Sequence, residues 1–122
     1  MHSQSIAALI LRIGMGGMML THGWKKFMKV IEGSWGFADP IGVGEVPTLI
    51  LAVLAEFICP ILIIIGWRTK LACILPAMTM FVAAFVIHID DPWKKMEFPL
   101  LYLVGFAALF FMGSGKYSLD RK

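Results

Sequence analysis

The most chemically suggestive residue in this sequence is Glu56, a carboxylate in the middle of an apolar stretch. The stretch runs from Val46 to Trp67 and holds no other charged residue. At about 22 residues and about 1.5 Å of rise per residue, it would cross the roughly 30 Å hydrocarbon core of a bilayer as a helix. An acid at that depth is costly, so such residues usually face protein or water and are candidates for function. We therefore expect Glu56 to accept or hold a proton.

A second set of polar residues lies on one face of the preceding apolar stretch. Arg12, Met19 and Lys26 recur every seven residues, and His22 follows Met19 by three. All four therefore share one face of a helix, which is predicted to point inward. Arg12 lies roughly 6 Å from Glu56 in predicted depth. We therefore predict an ion pair between them, which would either lock two helices together or set the charge state of Glu56.

Two histidines and another acid are expected at one end of the molecule. His22 lies toward the end of the first apolar stretch, His88 lies toward the end of the third, and Glu97 opens the fourth. Such groups relay protons, contact a ligand, bind a metal or simply occupy the membrane interface. The sequence contains no H-E-x-x-H motif and no short pair of histidines. No metal site is therefore predicted.

Four apolar stretches must position these residues, at about 6–27, 46–67, 71–89 and 97–112. They predict an all-α, antiparallel up-and-down four-helix bundle that spans a membrane, with residues 1–122 as a single domain. The composition fits this class, since 59% of the 122 residues are hydrophobic and 16% are charged. The fourth helix is expected to begin near Trp93 or Glu97. The first stretch has no basic segment ahead of it, which favours a retained span over a secretory signal.

The connections between these stretches differ in length. Arg68 to Lys70 form a short turn that makes the second and third helices antiparallel neighbours. The first connection is longer and rich in glycine, so it is predicted to stay irregular. Its Trp35 and Phe37 suit a membrane interface or a lid over the bundle.

The basic residues do not set an orientation in the membrane. Counted by connection, and with Arg121 and Lys122 included, they number five on each side. The net charge of +3 is spread over short clusters beside apolar stretches. Since no polar face gathers these charges, nucleic acid is not predicted as a partner, and the lipid bilayer is.

Pro60 and Pro76 interrupt the second and third stretches at similar distances from the turn between them. Neither can donate a hydrogen bond to the carbonyl four residues earlier, which for Pro60 is that of Glu56. Paired kinks would splay the two helices and open a pocket beside Glu56. The alternative is that both prolines are simply tolerated, as they often are in membrane helices.

Several segments together resemble the DoxX family of small bacterial membrane proteins: LRIGMGGMMLTHGWKKF, FADPIGVG, AEFICPILIIIGWRTKLA and GSGKYSLD, with His88 between the last two. The resemblance implies a four-helix protein of the bacterial inner (plasma) membrane. It also implies a link to thiosulfate:quinone oxidoreductase, to resistance against catechols and quinones, or to thiol redox balance. The family pattern marks these positions: Arg12, Gly16, His22, Gly23, Lys26, Glu56, Gly66, Arg68, His88, Gly113, Gly115, Ser118 and Asp120.

Residues and resemblance together suggest a redox-associated membrane protein that binds a quinone, a hydroquinone or a catechol-like ring. The chain has no haem, flavin, iron–sulfur or dinucleotide motif, so a partner oxidoreductase would carry the electrons. The competing hypothesis is a non-catalytic transporter of a small molecule, or a scaffold for a soluble redox enzyme; a homodimer is also considered. The candidate catalytic residues are Glu56, His22 and His88, and the candidate ligand-binding residues are Arg12, Lys26, Trp24 and Glu97.

Overall fold

The computed structural model describes residues 2–34, 36–37 and 39–120, and within these ranges the chain forms four long helices and no strand. The helices are α1 (His2–Glu32), α2 (Glu45–Ile65), α3 (Thr69–Ile87) and α4 (Trp93–Met112). Each is long and apolar enough to cross a bilayer. The predicted all-α four-helix membrane architecture is therefore confirmed. The predictions on Trp35, Arg121 and Lys122 lie outside the described residues.

The helices follow one another around the bundle. Helix α1 packs against α2, α2 against α3, α3 along much of α4, and α4 returns to α1. Their shared core consists of Met15, Met19, Ile63, Ala72, Cys73, Met80, Phe106 and Leu109. The outer faces are also apolar, with Leu71 at 62% and Phe111 at 80% exposure. Such a surface suits contact with lipid rather than water.

Two glycines bring α1 close to α2. A Cβ at Gly16 would lie 2.7 Å from a side-chain carbon of Ile64 and 3.0 Å from the carbonyl oxygen of Pro60. A Cβ at Gly23 would overlap the carbonyl group of Glu56. Small residues allow this approach of membrane helices. They also set the register of the two helices, because they place Gly23 directly opposite Glu56.

Helices α2 and α3 each contain one π-helical turn, at Leu54–Ile58 and Ala83–Ile87. The first has Glu56 at its centre and ends just before Pro60. Because proline has no N–H to donate, the regular α-helical pattern of hydrogen bonds cannot pass through it unchanged. Single π-helical turns occur frequently at functional sites.

The segment after α4 folds back over the turn between α2 and α3. The Asp120 carboxylate accepts hydrogen bonds from the backbone N–H groups of Arg68 at 2.8 Å and Thr69 at 2.9 Å. The backbone N–H of Asp120 donates a hydrogen bond to the carbonyl oxygen of Gly66 at 2.8 Å. Gly66 has a φ of +73°, and a Cβ there would overlap Ser118. This end of the bundle is called the terminal face below.

The connection between α1 and α2 folds over the opposite end of the bundle. The Asp39 carboxylate accepts hydrogen bonds from the N–H groups of Val43 and Gly44, at 2.9 and 3.0 Å. The Thr48 hydroxyl lies 3.2 Å from the same carboxylate. The connection is irregular, as predicted, and the Asp39 side chain holds it as a turn.

Candidate functional site

Glu56 forms an ion pair with Lys26. Lys26 Nζ donates a hydrogen bond to Glu56 Oε2 at 2.5 Å. The Glu56 side chain is 4% exposed and that of Lys26 28% exposed. The pair therefore lies partly inside the bundle, about halfway along α2, where water screens the two charges only weakly.

The predicted ion pair between Arg12 and Glu56 is wrong. Arg12 is fully buried, and its guanidinium donates to the carbonyl oxygens of Ser114 at 2.8 Å and Tyr117 at 2.8 and 3.0 Å. The reason is the register of α1. Since Gly23 lies opposite Glu56, Arg12 is eleven residues, or roughly 16 Å, further along the helix axis. Arg12 therefore stabilises the terminal face and does not set the charge of Glu56.

A cavity of about 250 Å³ lies beside the ion pair, between α2 and α3. Glu56 and Lys26 are part of its wall, and the other lining side chains are almost all apolar. They are Phe37, Pro40, Ile41, Thr48, Leu51, Ala52, Leu75, Met78, Thr79, Met80, Val82, Ala83 and Ile87. A pocket therefore lies beside Glu56, as the first of the two interpretations of the prolines expects. We call this space the Glu56 cavity.

The connection between α1 and α2 covers the Glu56 cavity at one end. Phe37, Pro40 and Ile41 all line it, so they are placed as a lid would be, which is one of the two positions considered for Phe37 from the sequence. The Phe37 ring centre lies 5.6 Å from Lys26 Nζ, within the range of a cation–π interaction. The Phe37 N–H donates to the Glu45 carboxylate at 3.3 Å. The lid is therefore tied both to the ion pair and to the start of α2.

His22 lies beside a residue that the sequence analysis did not select. Its ring contacts that of Tyr102 edge-on, with centroids 5.8 Å apart. Tyr102 in turn stacks on Phe106 of the same helix, with ring centroids 6.1 Å apart. The sequence does contain a signal for Tyr102, because its phenol group stands in the otherwise apolar stretch from Phe98 to Met112.

His88 lies in the connection between α3 and α4, outside the wall of the Glu56 cavity. Its Nδ1 pairs with Asp91 Oδ2 at 2.8 Å. The hydrogen bond from His88 holds the pKa of the Asp91 carboxyl below its usual value, and the charge of Lys95 acts in the same direction. His88 is thus part of a surface pair at the end of α3.

The other candidate residues, Trp24 and Glu97, do not line the cavity. Trp24 is 53% exposed and stands beside Phe27 and Phe57, whose rings stack at 4.3 Å. Glu97 is exposed in the first turns of α4. No group of three or more histidine, cysteine, aspartate or glutamate residues suited to a metal occurs in the described part of the chain.

The arrangement can hold a small, mainly apolar molecule against one acid and one amine. The carboxylate of Glu56 can accept a proton, and the ammonium group of Lys26 can donate a hydrogen bond to an anionic oxygen. The apolar walls exclude water, which strengthens both interactions. This is the chemistry of a site that changes the protonation of its ligand.

Fold and site together define a multi-pass membrane protein with a charged pair in the wall of a cavity within its bundle. The sequence profile of the DoxX family matches residues 7–89, and the chain belongs to this family. The resemblance stated from the sequence motifs is thereby confirmed.

Two relatives match almost the whole chain. A Haemophilus influenzae protein named only "Uncharacterized protein" is 29% identical over 119 residues, covering 92% of this chain and 87% of its own. A Bacillus subtilis protein named "Putative oxidoreductase CatD" is 29% identical over 119 residues, covering 97% of this chain and 87% of its own. No solved structure matches the chain.

Proposed function

We propose that this protein binds a quinone, a hydroquinone or a catechol-like ring in the Glu56 cavity. In this proposal it acts in the bacterial inner membrane together with a partner oxidoreductase. The observation that carries the proposal is the ion pair of Lys26 and Glu56 in the wall of an otherwise apolar cavity. The name of the Bacillus subtilis relative, which describes an oxidoreductase, supports the redox part.

The cavity suits a ligand that arrives from the bilayer. Leu51 and Met78 line it and are also exposed on the outer surface, at 40% and 61%. That surface is the one we assign to lipid, so a ring dissolved in the hydrocarbon core can enter between α2 and α3. The volume of about 250 Å³ lies just below the range of roughly 300 to 1,000 Å³ that is typical of ligand pockets, which favours a single ring.

The ion pair matches the proton chemistry of such a ring. Oxidation of a hydroquinone to a quinone releases two electrons and two protons. The Glu56 carboxylate would accept a proton from one ring hydroxyl, and the Lys26 ammonium would stabilise negative charge on the ring oxygen. The two electrons and the second proton would pass to the partner oxidoreductase, since the chain carries no motif for a redox cofactor.

Tyr102 and His22 lie outside the cavity wall, and their rings contact each other. His22 is exposed and is the neighbour of Gly23, which lies opposite Glu56, so its exposed side faces lipid at the level of the ion pair. Because a charge is costly in lipid, no proton path through these two residues is proposed. The remaining candidates, Arg12, Trp24, His88 and Glu97, do not line the cavity and are given no contact with the ring.

The test is a binding titration in lipid nanodiscs. A soluble benzoquinone or catechol analogue is added to the purified protein, and quenching of tryptophan fluorescence is followed. Glu56→Gln and Lys26→Met remove one charge each from the cavity wall. Glu32→Gln and Lys25→Met are the matched controls, because both residues are exposed on α1 and neither lines the cavity.

We expect saturable quenching in the wild-type protein and both controls, and weaker binding in both cavity variants. Quenching that rises linearly and equally in all five proteins would mean partitioning into lipid and would refute the proposal. Transport of the ligand into proteoliposomes without chemical change would instead favour the transporter hypothesis. Oxidation of a bound hydroquinone that depends on an added oxidoreductase would favour the redox role.

A further inference from the structure

A second cavity lies on the terminal face, far from the Glu56 cavity. It has a volume of about 480 Å³ and is lined by Trp67, Arg68, Thr69, Lys70, Leu71, Gly113, Ser114 and Asp120. It is formed where the turn between α2 and α3 meets the segment after α4. Since α2, α3 and α4 are membrane spans that end here, the cavity lies at the level of a membrane surface.

Two hydroxyl groups of this cavity wall lack a hydrogen-bond partner. Thr69 and Ser114 are each 1% exposed, and neither Thr69 Oγ1 nor Ser114 Oγ has a partner among the described residues. A buried polar group without a partner costs roughly 1 to 3 kcal/mol. Such groups are normally satisfied by water, an ion or a ligand. Both hydroxyl oxygens have less than 1 Å² of accessible surface, so they lie just behind the cavity surface, and an occupant reaches them only when the wall moves aside.

The charged groups of the wall indicate the charge of that occupant. Arg68 and Lys70 contribute two positive charges and Asp120 one negative charge. The Asp120 oxygens already accept the N–H groups of Arg68 and Thr69. The wall itself carries one net positive charge, and the buried Arg12 guanidinium, which bonds to the Ser114 carbonyl oxygen, adds another beside it, so an anionic group is favoured. A phosphodiester is such a group and offers several acceptor oxygens to hydroxyl and ammonium donors.

The surroundings favour a lipid over a free anion. Trp67 and Leu71 line the same cavity and are 45% and 62% exposed. Trp67 also packs under the Arg68 guanidinium at 5.1 Å. Tryptophan beside basic residues is typical of the headgroup level of a membrane. Basic pockets between membrane helices are known to bind anionic headgroups.

We propose that the cavity on the terminal face binds the phosphodiester of an anionic phospholipid. Lys70 and Arg68 neutralise the phosphate, and on binding the wall opens enough for Thr69 and Ser114 to donate hydrogen bonds to its oxygens. The acyl chains follow the apolar surface next to Trp67 and Leu71. This site is independent of the ion pair and of the ligand proposed for the Glu56 cavity.

The test is the thermal stability of the full chain in a non-ionic detergent, with lipid added. The probes are short-chain phosphatidylglycerol, which is anionic, and short-chain phosphatidylcholine, which is zwitterionic; inorganic phosphate and glycerol 3-phosphate test for a free anion. Lys70→Gln removes one charge from the wall. Lys116→Gln is its matched control, because Lys116 lies exposed on the same face but does not line the cavity.

We expect phosphatidylglycerol to raise the melting temperature saturably, and phosphatidylcholine to raise it less. Loss of one lysine contact with an anionic lipid corresponds to a roughly fivefold weaker apparent affinity. We expect this weakening in Lys70→Gln but not in Lys116→Gln. Thr69→Val removes a hydroxyl and keeps the shape of the side chain. It should melt no lower than wild type without lipid, yet respond less to phosphatidylglycerol.

Two results would overturn the proposal. The first is an equal response to phosphatidylglycerol in wild type, Lys70→Gln and Thr69→Val. The second is an equal loss in Lys70→Gln and Lys116→Gln, which would mean that the lipid senses only the total charge of this face. If inorganic phosphate or glycerol 3-phosphate reproduced the full shift, the site would belong to a free phosphate and the lipid assignment would fail.

Discussion

Lys26 and Glu56 form an ion pair about halfway along α2. On α1, Lys26 follows Gly23 by about one helical turn, and Gly23 touches the carbonyl group of Glu56. The close contact fixes the height at which the two helices meet. The lysine stem then covers the short remaining distance to the carboxylate. The pair is thus a consequence of helix packing. It places one positive and one negative group in the wall of the cavity beside it.

The first prediction concerns the stability of this pair. Lys26→Met leaves the buried Glu56 carboxylate without its cation, and breaking a fully buried pair costs about 3 to 5 kcal/mol. Since the Lys26 side chain is 28% exposed, we expect a smaller loss, about 1 to 3 kcal/mol. The free energy of unfolding can be measured by denaturant titration in mixed micelles. The double variant Lys26→Met/Glu56→Gln should recover part of the loss; strictly additive effects would show that the two residues do not interact.

The second prediction concerns the contact between α1 and α2. In Gly23→Ala the added methyl group collides with the Glu56 carbonyl group, so α1 must shift, at a cost of about 1 to 3 kcal/mol. Gly17→Ala is the control on the same helix, because a Cβ at Gly17 meets nothing within 4 Å. Alanine favours a helix over glycine by about 1 kcal/mol, so the control should be neutral or slightly stabilising. Equal melting temperatures for the two variants would contradict the packing described for Gly23.

The third prediction concerns Arg12. Its guanidinium bonds to the carbonyl oxygens of Ser114 and Tyr117, which anchors the segment after α4. Arg12→Leu removes these bonds and should make residues 113–120 open more often. Hydrogen exchange followed by mass spectrometry would report faster exchange there, with little change in the core of α3.

Arg12→Lys is the companion variant. A lysine keeps the positive charge, but it lacks the planar set of donors with which an arginine bonds to several carbonyl oxygens at once. We expect it to restore only part of the protection at residues 113–120. Full protection in Arg12→Leu would mean that the guanidinium does not hold this segment.

The fourth prediction concerns pH. The hydrogen bond from His88 lowers the pKa of Asp91 in the folded protein, and Lys95 adds to the effect. A lowered folded pKa means that the ionised carboxylate stabilises the fold. That contribution is complete above the ordinary aspartate pKa of about 3.9 and is lost as the pH falls through the folded value.

Carboxyl NMR signals of Asp91, followed between neutral and acidic pH, would measure this shift directly. His88→Ala should move the pKa of Asp91 up toward its ordinary value. Asp90→Asn, at the exposed neighbouring position, is the control and should leave it nearly unchanged. An unchanged Asp91 titration in His88→Ala would show that the pair does not persist in solution.

Much of the fold follows from the sequence. The lengths of the four apolar stretches determine the membrane helices, because only a helix satisfies its own backbone groups in lipid. The short turn at 68–70 determines that α2 and α3 are antiparallel neighbours. Glu56 can also be found from the sequence alone, since it is the only charge in its stretch. The choice of Lys26 as a site residue likewise needs only the spacing along α1.

The partner of Glu56 could not be read from the sequence. Spacing along α1 shows that Arg12 and Lys26 share a face, but it does not say which of them reaches α2 at the height of Glu56. That depends on the register between two helices, and contacts of Gly16 and Gly23 with α2 determine it. Such contacts join residues far apart in the chain, and a pattern within one helix does not contain them.

The roles of Tyr102 and of the segment after α4 also depend on the tertiary structure. Tyr102 contacts His22 because α4 returns to α1 in the bundle. The closing GSGKYSLD segment contains positions marked by the family pattern. Its place in the structure is set by hydrogen bonds with Arg12 and with the turn after α2. The sequence by itself determined the number, length and chemistry of the helices, because hydropathy and backbone hydrogen bonding are local. The tertiary structure decided which charges meet, because that depends on how closely, and at what height, the helices pack.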